Sequence, residues 1–468
     1  MRLVCYSIFV FFSAVVFAQS KWTMERCIEH ALKNNIGIRQ AELNAKVAKN
    51  NALQSKAGAL PALNAGGAHT YNFGKTIDRF TNTFADQMVL SQNLFLSTNL
   101  TLWSGLSQLN SIRQTDLNYR SAVESVNQQK NDLALNVATA FLQVIYADQL
   151  KQVQKNQVDI SIQQLERTKS LFEAGTVAKG TLYDVEAQLG ADRFNFVSAE
   201  NNYSIALLTL QQLLNLDSVK NFALEIPLLS DPSFDGSQLI VQDIYANALK
   251  SQPQIKSAEL AWRGAEKGLA ASKGLRSPTL TFSAAIGSGF SGLNYNYDYS
   301  YGVVPAGYTS AFDTVYLFDV NPIRKEVKSF SDQFNANINR SIGLQLNVPI
   351  FNGLRTHVSV ENSKLNVFSQ KLNFDLAKQQ LWKNIAQAHA NAIAAQEKLK
   401  SARQAIEAAE LSYRFSESKF NAGAISSFEF STARGRMLKA QSDLLNARFD
   451  LIFRIKVLDF YQGKPLTL

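Results

Sequence analysis

The stretch from Ile385 to Gly423, IAQAHANAIAAQEKLKSARQAIEAAELSYRFSESKFNAG, decides the fold. It contains an apolar row that recurs every seven positions, with a second row of small residues three places further on. The rows are Ile385, Ala392, Leu399, Ile406, Tyr413 and Phe420, and Ala388, Ala395, Ala402, Ala409 and Ser416. A seven-residue repeat is typical of a coiled-coil seam, and small side chains let neighbouring helices approach closely. The stretch therefore predicts helices packed side by side.

The helix that carries this seam is very long. From Gly353 to Phe420 the sequence has no proline and no second glycine. At about 1.5 Å per residue, such a run gives roughly 100 Å of helix, far more than a globular domain needs. A rod-shaped structural coiled coil would also explain this feature taken alone.

The same arrangement occurs earlier in the chain, so the sequence is internally duplicated. Towards the N-terminus the matches lie 217 residues apart (248 − 31), and further along they lie 248 apart (353 − 105). The matches are Ala31-Leu32-Lys33 with Ala248-Leu249-Lys250, Pro61 with Pro278, Gly105-Leu106 with Gly353-Leu354, and Phe172-Glu173-Ala174-Gly175 with Phe420-Asn421-Ala422-Gly423. The second copy has gained 31 residues (248 − 217) between Pro278 and Gly353.

Each copy is predicted to contain a helix, two strands, a very long helix, a tight turn and a helix. The first helices are expected over Met24 to Gly58 and Val241 to Gly274, because each ends near a glycine with proline shortly beyond. We divide the chain into a signal peptide (1–18), a first repeat (19–238) and a second repeat (239–468). The extra residues form a Tyr-rich insertion at about 290–330, which we expect to be a loop on the outer face.

Four segments alternate with a period of two, which predicts four strands. Their alternating positions are Leu63, Ala65, Gly67, His69, Tyr71 and Phe73; Leu94, Leu96, Thr98, Leu100 and Leu102; Leu280, Phe282, Ala284 and Ile286; and Ile342, Leu344, Leu346, Val348 and Ile350. Each has the length of a tilted transmembrane strand with one apolar and one polar face. A soluble sheet packed on a helix is the alternative. If the strands span a membrane, several copies of the chain must combine their strands into one closed barrel, because an open sheet edge cannot exist in lipid.

The N-terminus and the composition indicate an exported protein. Arg2 precedes an apolar run from Leu3 to Phe17 that ends at Ala18, as in a cleaved secretory signal. Removal of Cys5 would leave Cys27 as the remaining thiol, so no disulfide is expected. The excess of 47 basic over 38 acidic side chains is dispersed, which argues against a nucleic-acid partner.

Several segments in duplicated order give the sequence a resemblance to the TolC-like outer-membrane factor family over essentially the whole mature chain. The resemblance is carried by Trp22 to Ile28, the strand entry Leu60 to Leu63, Trp103 to Leu106, Phe351 to Leu354, and the two turns Phe172 to Val177 and Phe420 to Ile425. It implies an α+β membrane protein, a homotrimer whose 12-stranded β-barrel in the outer membrane continues into a long periplasmic α-helical coiled-coil barrel. It also implies a periplasmic adaptor (membrane fusion) protein and an inner-membrane pump as partners, and a chain without cofactor or enzymatic activity.

The function that the resemblance implies is a passive exit duct of a tripartite efflux or type I secretion system, opened at its periplasmic helix tips. No phosphate loop, nucleophile elbow, paired-cysteine motif or clustered histidine pattern competes with it in the sequence. A structural or adhesive coiled-coil protein of the cell surface is the alternative.

Two sets of site residues follow from the resemblance. The turns, expected to be the adaptor-binding tips, are Ala174, Gly175, Thr176, Val177 and Ala422, Gly423, Ala424, Ile425. The gate is expected just beyond them: Glu429 falls on one of the family's two acidic positions, Thr432 on the other, and Asp184 occupies that second position in the first copy. Phe420 stands where the family has part of a polar lock, so closure is expected to depend on apolar packing of Phe420. No metal site is expected.

Overall fold

The computed structural model describes residues 22–216, 222–225, 234 and 240–464. The expected signal peptide, 1–18, lies outside the described residues. The chain divides into two compact units. One comprises Met1–Val47, Arg120–Leu260 and Lys371–Leu468, and its described elements are helices; the other comprises Ala48–Tyr119 and Ala261–Gln370 and contains the strands named below.

The elements of the first repeat follow the predicted order. They are α1 (Met24–Asn34), α2 (Ile36–Ala57), β1 (Ala62–Asn72), the short pair β2 (Thr76–Ile77) and β3 (Phe84–Ala85), β4 (Val89–Trp103), α3 (Ser107–Glu173) and α4 (Lys179–Leu213). The prediction of one very long helix is confirmed, since α3 has 67 residues.

The second repeat reproduces this order with an additional hairpin. Its elements are α5 (Val241–Ser251), α6 (Pro253–Gly274), β5 (Thr279–Ser291), β6 (Tyr295–Tyr308), β7 (Thr314–Val327), α7 (Phe330–Ala336), β8 (Asn339–Asn347), α8 (Arg355–Asn421) and α9 (Ser427–Tyr461). Like α3, α8 has 67 residues, and α4 and α9 have 35 each. The duplication is therefore preserved to the residue in these helices.

The prediction of one continuous helix at the start of each repeat was wrong. Asn35 has an extended backbone (φ −64°, ψ 128°), and its Oδ1 accepts a hydrogen bond of 2.8 Å from the Gly37 amide, which caps α2. Gln252 is extended because Pro253 follows it, and proline suits the first position of a helix. Each predicted helix is thus two helices joined at one residue.

The four long strands form one antiparallel sheet in the order β1-β4-β5-β8. Residues that lie directly opposite one another share a face. The row Leu100–Phe282–Leu344 and the row Leu96–Ile286 belong to an apolar face, while Ser97–Ala285–Ser341 lies on the other. The predicted alternation is confirmed within the strands. β8 ends at Asn347, before the predicted Val348 and Ile350, because Pro349 cannot donate a ladder hydrogen bond.

The Tyr-rich insertion is not the loop that was expected. Tyr295–Tyr308 and Thr314–Val327 pair as a long antiparallel hairpin, and Phe330–Ala336 adds about two helical turns before β8. The alternation of tyrosine with other residues, as in Tyr297, Tyr299 and Tyr301, is itself a strand pattern with aromatic side chains on one face.

Two of the apolar clusters in the helical unit repeat each other. In the first, Ala31 packs with Val137 and Leu210; in the second, the equivalent residues Ala248, Ile385 and Leu458 pack together. The predicted seam is buried at Ile385, Ala392 and Leu399 and is half-buried further along at Ile406, Tyr413 and Phe420. Lys151, which stands in the first repeat where Leu399 stands in the second, places its Nζ 3.8 Å from the centre of the Tyr203 ring and pairs with Asp148.

Candidate gate and docking tips

Each long helix ends in a glycine turn of the same geometry. Gly175 and Gly423 both have φ of +73°, a left-handed conformation that glycine adopts without a steric cost. In the first turn the Thr176 amide donates to the Leu171 carbonyl over 2.9 Å, and in the second the Ala424 amide donates to the Lys419 carbonyl over 2.8 Å. This six-to-one bond is the Schellman helix ending, so the sequence determines both turns.

The residues of both turns are accessible. Ala174, Gly175 and Thr176 are exposed in the first turn, as are Ala422, Gly423 and Ala424 in the second, and only Val177 and Ile425 are half-buried. A Cβ atom added to either glycine would meet no heavy atom within 4 Å. The turns therefore offer a small, unobstructed surface on which another protein can pack.

Glu429 lies on the first turn of α9, where it completes a capping box. The Ser426 amide and hydroxyl both donate to its Oε2, at 3.0 and 3.1 Å, and the Glu429 amide donates back to Ser426 Oγ. The hydrogen bonds from Ser426 lower the pKa of this exposed carboxyl below its ordinary value. Glu429 is therefore a fixed negative charge near the tip, and it also stabilises the start of its helix.

Asp184 lies on α4 and is linked to the beginning of α9. Its Oδ2 accepts a hydrogen bond of 2.8 Å from the Ser427 hydroxyl. Ser427 is two residues before Glu429, so the structure brings the two predicted gate carboxylates to the same pair of helix starts. One comes from each repeat.

Phe420 stacks on an aromatic ring of α9. The ring centroids of Phe420 and Phe430 are 4.7 Å apart and the planes are 8° from parallel, and Tyr413 contacts the same Phe430 ring at 5.8 Å. Burial, together with the neighbouring Glu417 carboxylate, raises the pKa of Tyr413 to about 12, so this phenol stays neutral at physiological pH. The end of α8 is thus fastened to α9 by aromatic contacts.

A buried polar cluster next to this stack was missed by sequence reasoning. Arg434 Nη2 lies 2.9 Å from Asp192 Oδ2, and both side chains are almost fully buried. Ser161 Oγ contacts both Arg434 and Asp192, and the Gln157 carbonyl accepts from Arg434 over 3.2 Å. Burial lowers the pKa of Arg434, and the Asp192 carboxylate opposes this effect. One signal was available in the sequence, namely the polar Ser161, which stands in the first repeat where Ala409 of the small-residue row stands in the second.

A chain of side-chain hydrogen bonds extends the cluster towards the turns. Asp192 Oδ1 accepts from Gln188 Nε2 over 3.0 Å, and the Ser431 hydroxyl donates to Gln188 Oε1 over 2.9 Å. A cavity of about 200 Å³ lies among these groups and is lined in part by Asp184 and Phe420. These two predicted gate residues therefore border one space, and the buried polar cluster closes it on one side.

Three further reactive side chains of the described structure, Cys27, His30 and His69, are buried or contact neighbouring side chains. Cys27 is fully buried in the first core cluster, and burial raises the pKa of its thiol to about 12. His30 packs edge-on against Trp22, and His69 bonds Gln92. Within the part of the chain that the structure describes, no group of three His, Cys, Asp or Glu side chains is placed to hold a metal ion.

The duplicated helices, the four-stranded sheet with one apolar face and the two equivalent glycine turns define the class of protein. The chain belongs to the outer membrane efflux protein family, whose model matches residues 27–216 and 244–452, one segment in each repeat. Its members are channel proteins of the outer membrane, with an α-helical extension into the periplasm, and they serve as exit ducts of tripartite efflux systems. The predicted function and location of this chain are thereby confirmed.

Individual relatives align with more than nine-tenths of this chain. The outer membrane protein TolC of Escherichia coli (strain K12) is 21% identical over 427 residues, which are 91% of this chain and 78% of TolC. The outer membrane efflux protein BepC of Brucella suis is 20% identical over 439 residues, 92% of this chain and 83% of BepC.

Solved structures share the fold. The outer membrane protein VceC of Vibrio cholerae superposes with a TM-score of 0.77 at 15% identity, covering 94% of this chain and 96% of VceC. The CmeC outer membrane channel of Campylobacter jejuni superposes with a TM-score of 0.76 at 14% identity, covering 99% and 93%. The predicted fold class is therefore confirmed.

Proposed function

We propose that three copies of this chain form the duct of a tripartite efflux system, whose periplasmic adaptor docks on the turns at 174–177 and 422–425 and whose inner-membrane pump supplies the energy. Two surfaces support the trimer. β1 and β8 are edge strands of the four-stranded sheet and need partners in lipid. α4 exposes an apolar stripe, more than half-exposed at Phe194, Val197 and Leu208, of the kind that another subunit covers.

The observation that carries the docking proposal is the equivalence of the two turns. Both have the same glycine conformation, the same helix-ending hydrogen bonds and open space around the glycine. A partner that recognises one turn can therefore recognise the other. Small side chains, such as Ala174 and Ala422, let a partner's backbone approach closely.

The gate proposal assigns a role to each of three residues. Glu429 and Asp184 supply negative charge near the tips, and three copies of each would concentrate that charge in a narrow lumen. Phe420 holds the end of α8 on α9 through its stack with Phe430. Opening would then require this aromatic contact to break or to move with both helices.

Adaptor crosslinking tests the docking proposal. Gly175→Trp with Gly423→Trp would fill the open space at both turns, and we expect loss of crosslinking to the adaptor and of drug export while trimers persist in detergent. The matched control is Gly190→Trp with Gly435→Trp, at helix positions where an added Cβ atom also meets no neighbour within 4 Å. Normal crosslinking and export in the tip variant would remove the turns from the docking surface.

A further inference from the structure

Several side-chain hydrogen bonds hold the short helix α7 in place. Gln333, only 1% exposed, donates to the carbonyls of Ser291 and Lys328 at 3.0 and 2.9 Å and accepts from the Ser291 amide at 2.9 Å. Asn337, just beyond the helix, donates to the Gly289 carbonyl at 2.8 Å. The bonds to Ser291 and Gly289, near the end of β5, fix the position of α7, since breaking them would leave buried polar groups unsatisfied.

α7 lies against the apolar face of the sheet. Ser288 is directly opposite Leu94, and it lies two residues from Ile286 on the face that carries the apolar rows. The Ser288 hydroxyl donates to the Phe334 carbonyl of α7. In an outer-membrane barrel the apolar face is the one that contacts lipid. α7 is therefore on the lipid side of the strands.

An open apolar groove of about 560 Å³ runs between α7 and the strands. Its lining includes the apolar side chains of Ala65, Leu94, Leu96, Ile286, Phe334 and Ile338, together with Phe95, Ser288 and two glycines. Phe334 is half-buried and Ile338 is 45% exposed. The groove is continuous with the lipid-facing surface of the sheet, so a hydrocarbon chain could enter it directly from the membrane.

A cation lies on the same face beside the groove. Arg340 of β8 is directly opposite Ile286, and its side chain is exposed. The connection that contains α7 lies at the end of the sheet away from α2, α3, α6 and α8, all of which join the strands at the other end. That other end is periplasmic in this family, so Arg340 is near the outer leaflet. An arginine on a lipid-facing surface is least costly near the headgroups, where an anion can pair with it.

We propose that α7, β4, β5 and Arg340 form a binding site for a phosphorylated lipid of the outer leaflet, with an acyl chain in the groove and a phosphate at Arg340. A second copy of the chain is the less favoured occupant, because the groove continues the lipid-facing surface and has a cation at its border. The site depends on the outer-membrane location of the strands and not on the gate or the adaptor.

Lipid analysis of the full-length trimer tests the role of Arg340. The trimer is purified in mild detergent from its own outer membrane, and phosphorylated lipid per chain is measured by mass spectrometry. We expect Arg340→Gln to lower it about five-fold, the factor that one basic side chain contributes near an anionic lipid surface. The Arg340→Lys variant should retain most of the phosphorylated lipid. Arg355→Gln, a matched change of an exposed arginine at the start of α8, should retain all of it.

A second experiment tests the groove by filling it with a large side chain. Ala65→Trp would place a large side chain in the lining of the groove, opposite Leu96. We expect the wild-type trimer to dissociate at a higher temperature in vesicles that contain phosphorylated outer-leaflet glycolipid than in phosphatidylcholine alone, and the variant to lose this difference.

Any of three results would contradict the proposed lipid site. Arg340→Gln could retain wild-type lipid content, or the Arg355→Gln control could lose as much lipid. Alternatively, Ile338→Cys could crosslink to the neighbouring chain, which would place protein in the groove. If the Ala65→Trp variant fails to assemble, the lipid content of the Arg340→Gln, Arg340→Lys and Arg355→Gln variants still tests the proposed site.

Discussion

Arg434 of α9 and Asp192 of α4 form a buried ion pair, with 2.9 Å between Nη2 and Oδ2, although 242 residues separate them in the sequence. α4 ends the described helices of the first repeat and α9 those of the second, so the pair ties the two repeats together near the tips. Taking both charges out of water is costly, and the pair is tolerated only while both partners are present.

Removal of one partner should therefore destabilise the protein strongly. We expect Arg434→Ala to lower the free energy of unfolding by about 3 kcal/mol, because the Asp192 carboxylate would remain buried without its cation. Chemical denaturation followed by circular dichroism measures this. Arg436→Ala, a change of an exposed arginine on the same helix, is the control and should alter stability little. Replacing both partners, Arg434→Met with Asp192→Leu, should recover most of the loss; equal stability of the Arg434→Ala and Arg436→Ala variants would contradict the role of the pair.

The proposed gate charges should control ion selectivity. We expect the wild-type channel to be cation-selective in a planar bilayer and to be blocked by multivalent cations from the periplasmic side, because like charges in a narrow lumen bind cations. Glu429→Gln with Asp184→Asn should weaken both properties. The control is Glu407→Gln with Asp159→Asn, two exposed carboxylates on the long helices. A double variant with wild-type selectivity and block would remove Glu429 and Asp184 from the gate.

Selectivity should also persist at mildly acidic pH. The folded-state pKa of Glu429 lies below its ordinary value of 4.5 because Ser426 donates to the carboxylate. The stabilisation that the capping box provides is therefore fully present above pH 4.5 and is lost as the pH falls through the lowered pKa. Glu429 should stay ionised between pH 7 and pH 5. We therefore expect this residue to cause no change in the reversal potential, measured in a salt gradient, over that range. Ser426→Ala should move the loss of selectivity to higher pH, whereas Ser418→Ala should not; identical titrations of the two variants would contradict this account.

The aromatic stack should hold the channel closed. Phe420→Ala removes the stack with Phe430, which is of the kind worth about 1 kcal/mol beyond the area it buries. We expect higher resting conductance and more frequent openings in single-channel recordings. Phe415→Ala, which removes a 68% exposed ring from the same helix, is the comparison and should leave conductance unchanged. Closed-state conductance equal in the two variants would show that Phe420 does not restrain the gate.

Much of the architecture could be predicted because its causes are local or periodic. The seam at Ile385, Ala392 and Leu399 indicates packed helices, and the alternation of Ile342 and Leu344 with small or polar residues indicates a strand. The glycine turns follow from the left-handed conformation that glycine adopts easily. The change in offset between the repeats predicts an insertion between Pro278 and Gly353, and the second repeat has its additional hairpin and α7 in that interval.

The rest depended on contacts that a single sequence does not display. Ser161 and Arg434 are 273 residues apart, and nothing in the local pattern of either residue indicates the other. The helix breaks at Asn35 and Gln252 were missed because their causes, the Asn35 side chain and the ring of Pro253, act over only one or two residues. The hairpin in the insertion was missed because the loop prediction followed from the low aliphatic content of the segment, whereas its alternating tyrosines favour a strand.

The equal lengths of α3 and α8, 67 residues each, have a mechanical consequence. Removing one residue from α3 alone would retract its tip by about 1.5 Å and rotate it by roughly a quarter turn relative to the tip of α8. Three chains with two tips each would present six contact points. A ring-shaped partner can bind all six only if they lie at the same height along the axis of the channel. A change in the length of either helix would therefore have to be matched in the other repeat to be tolerated.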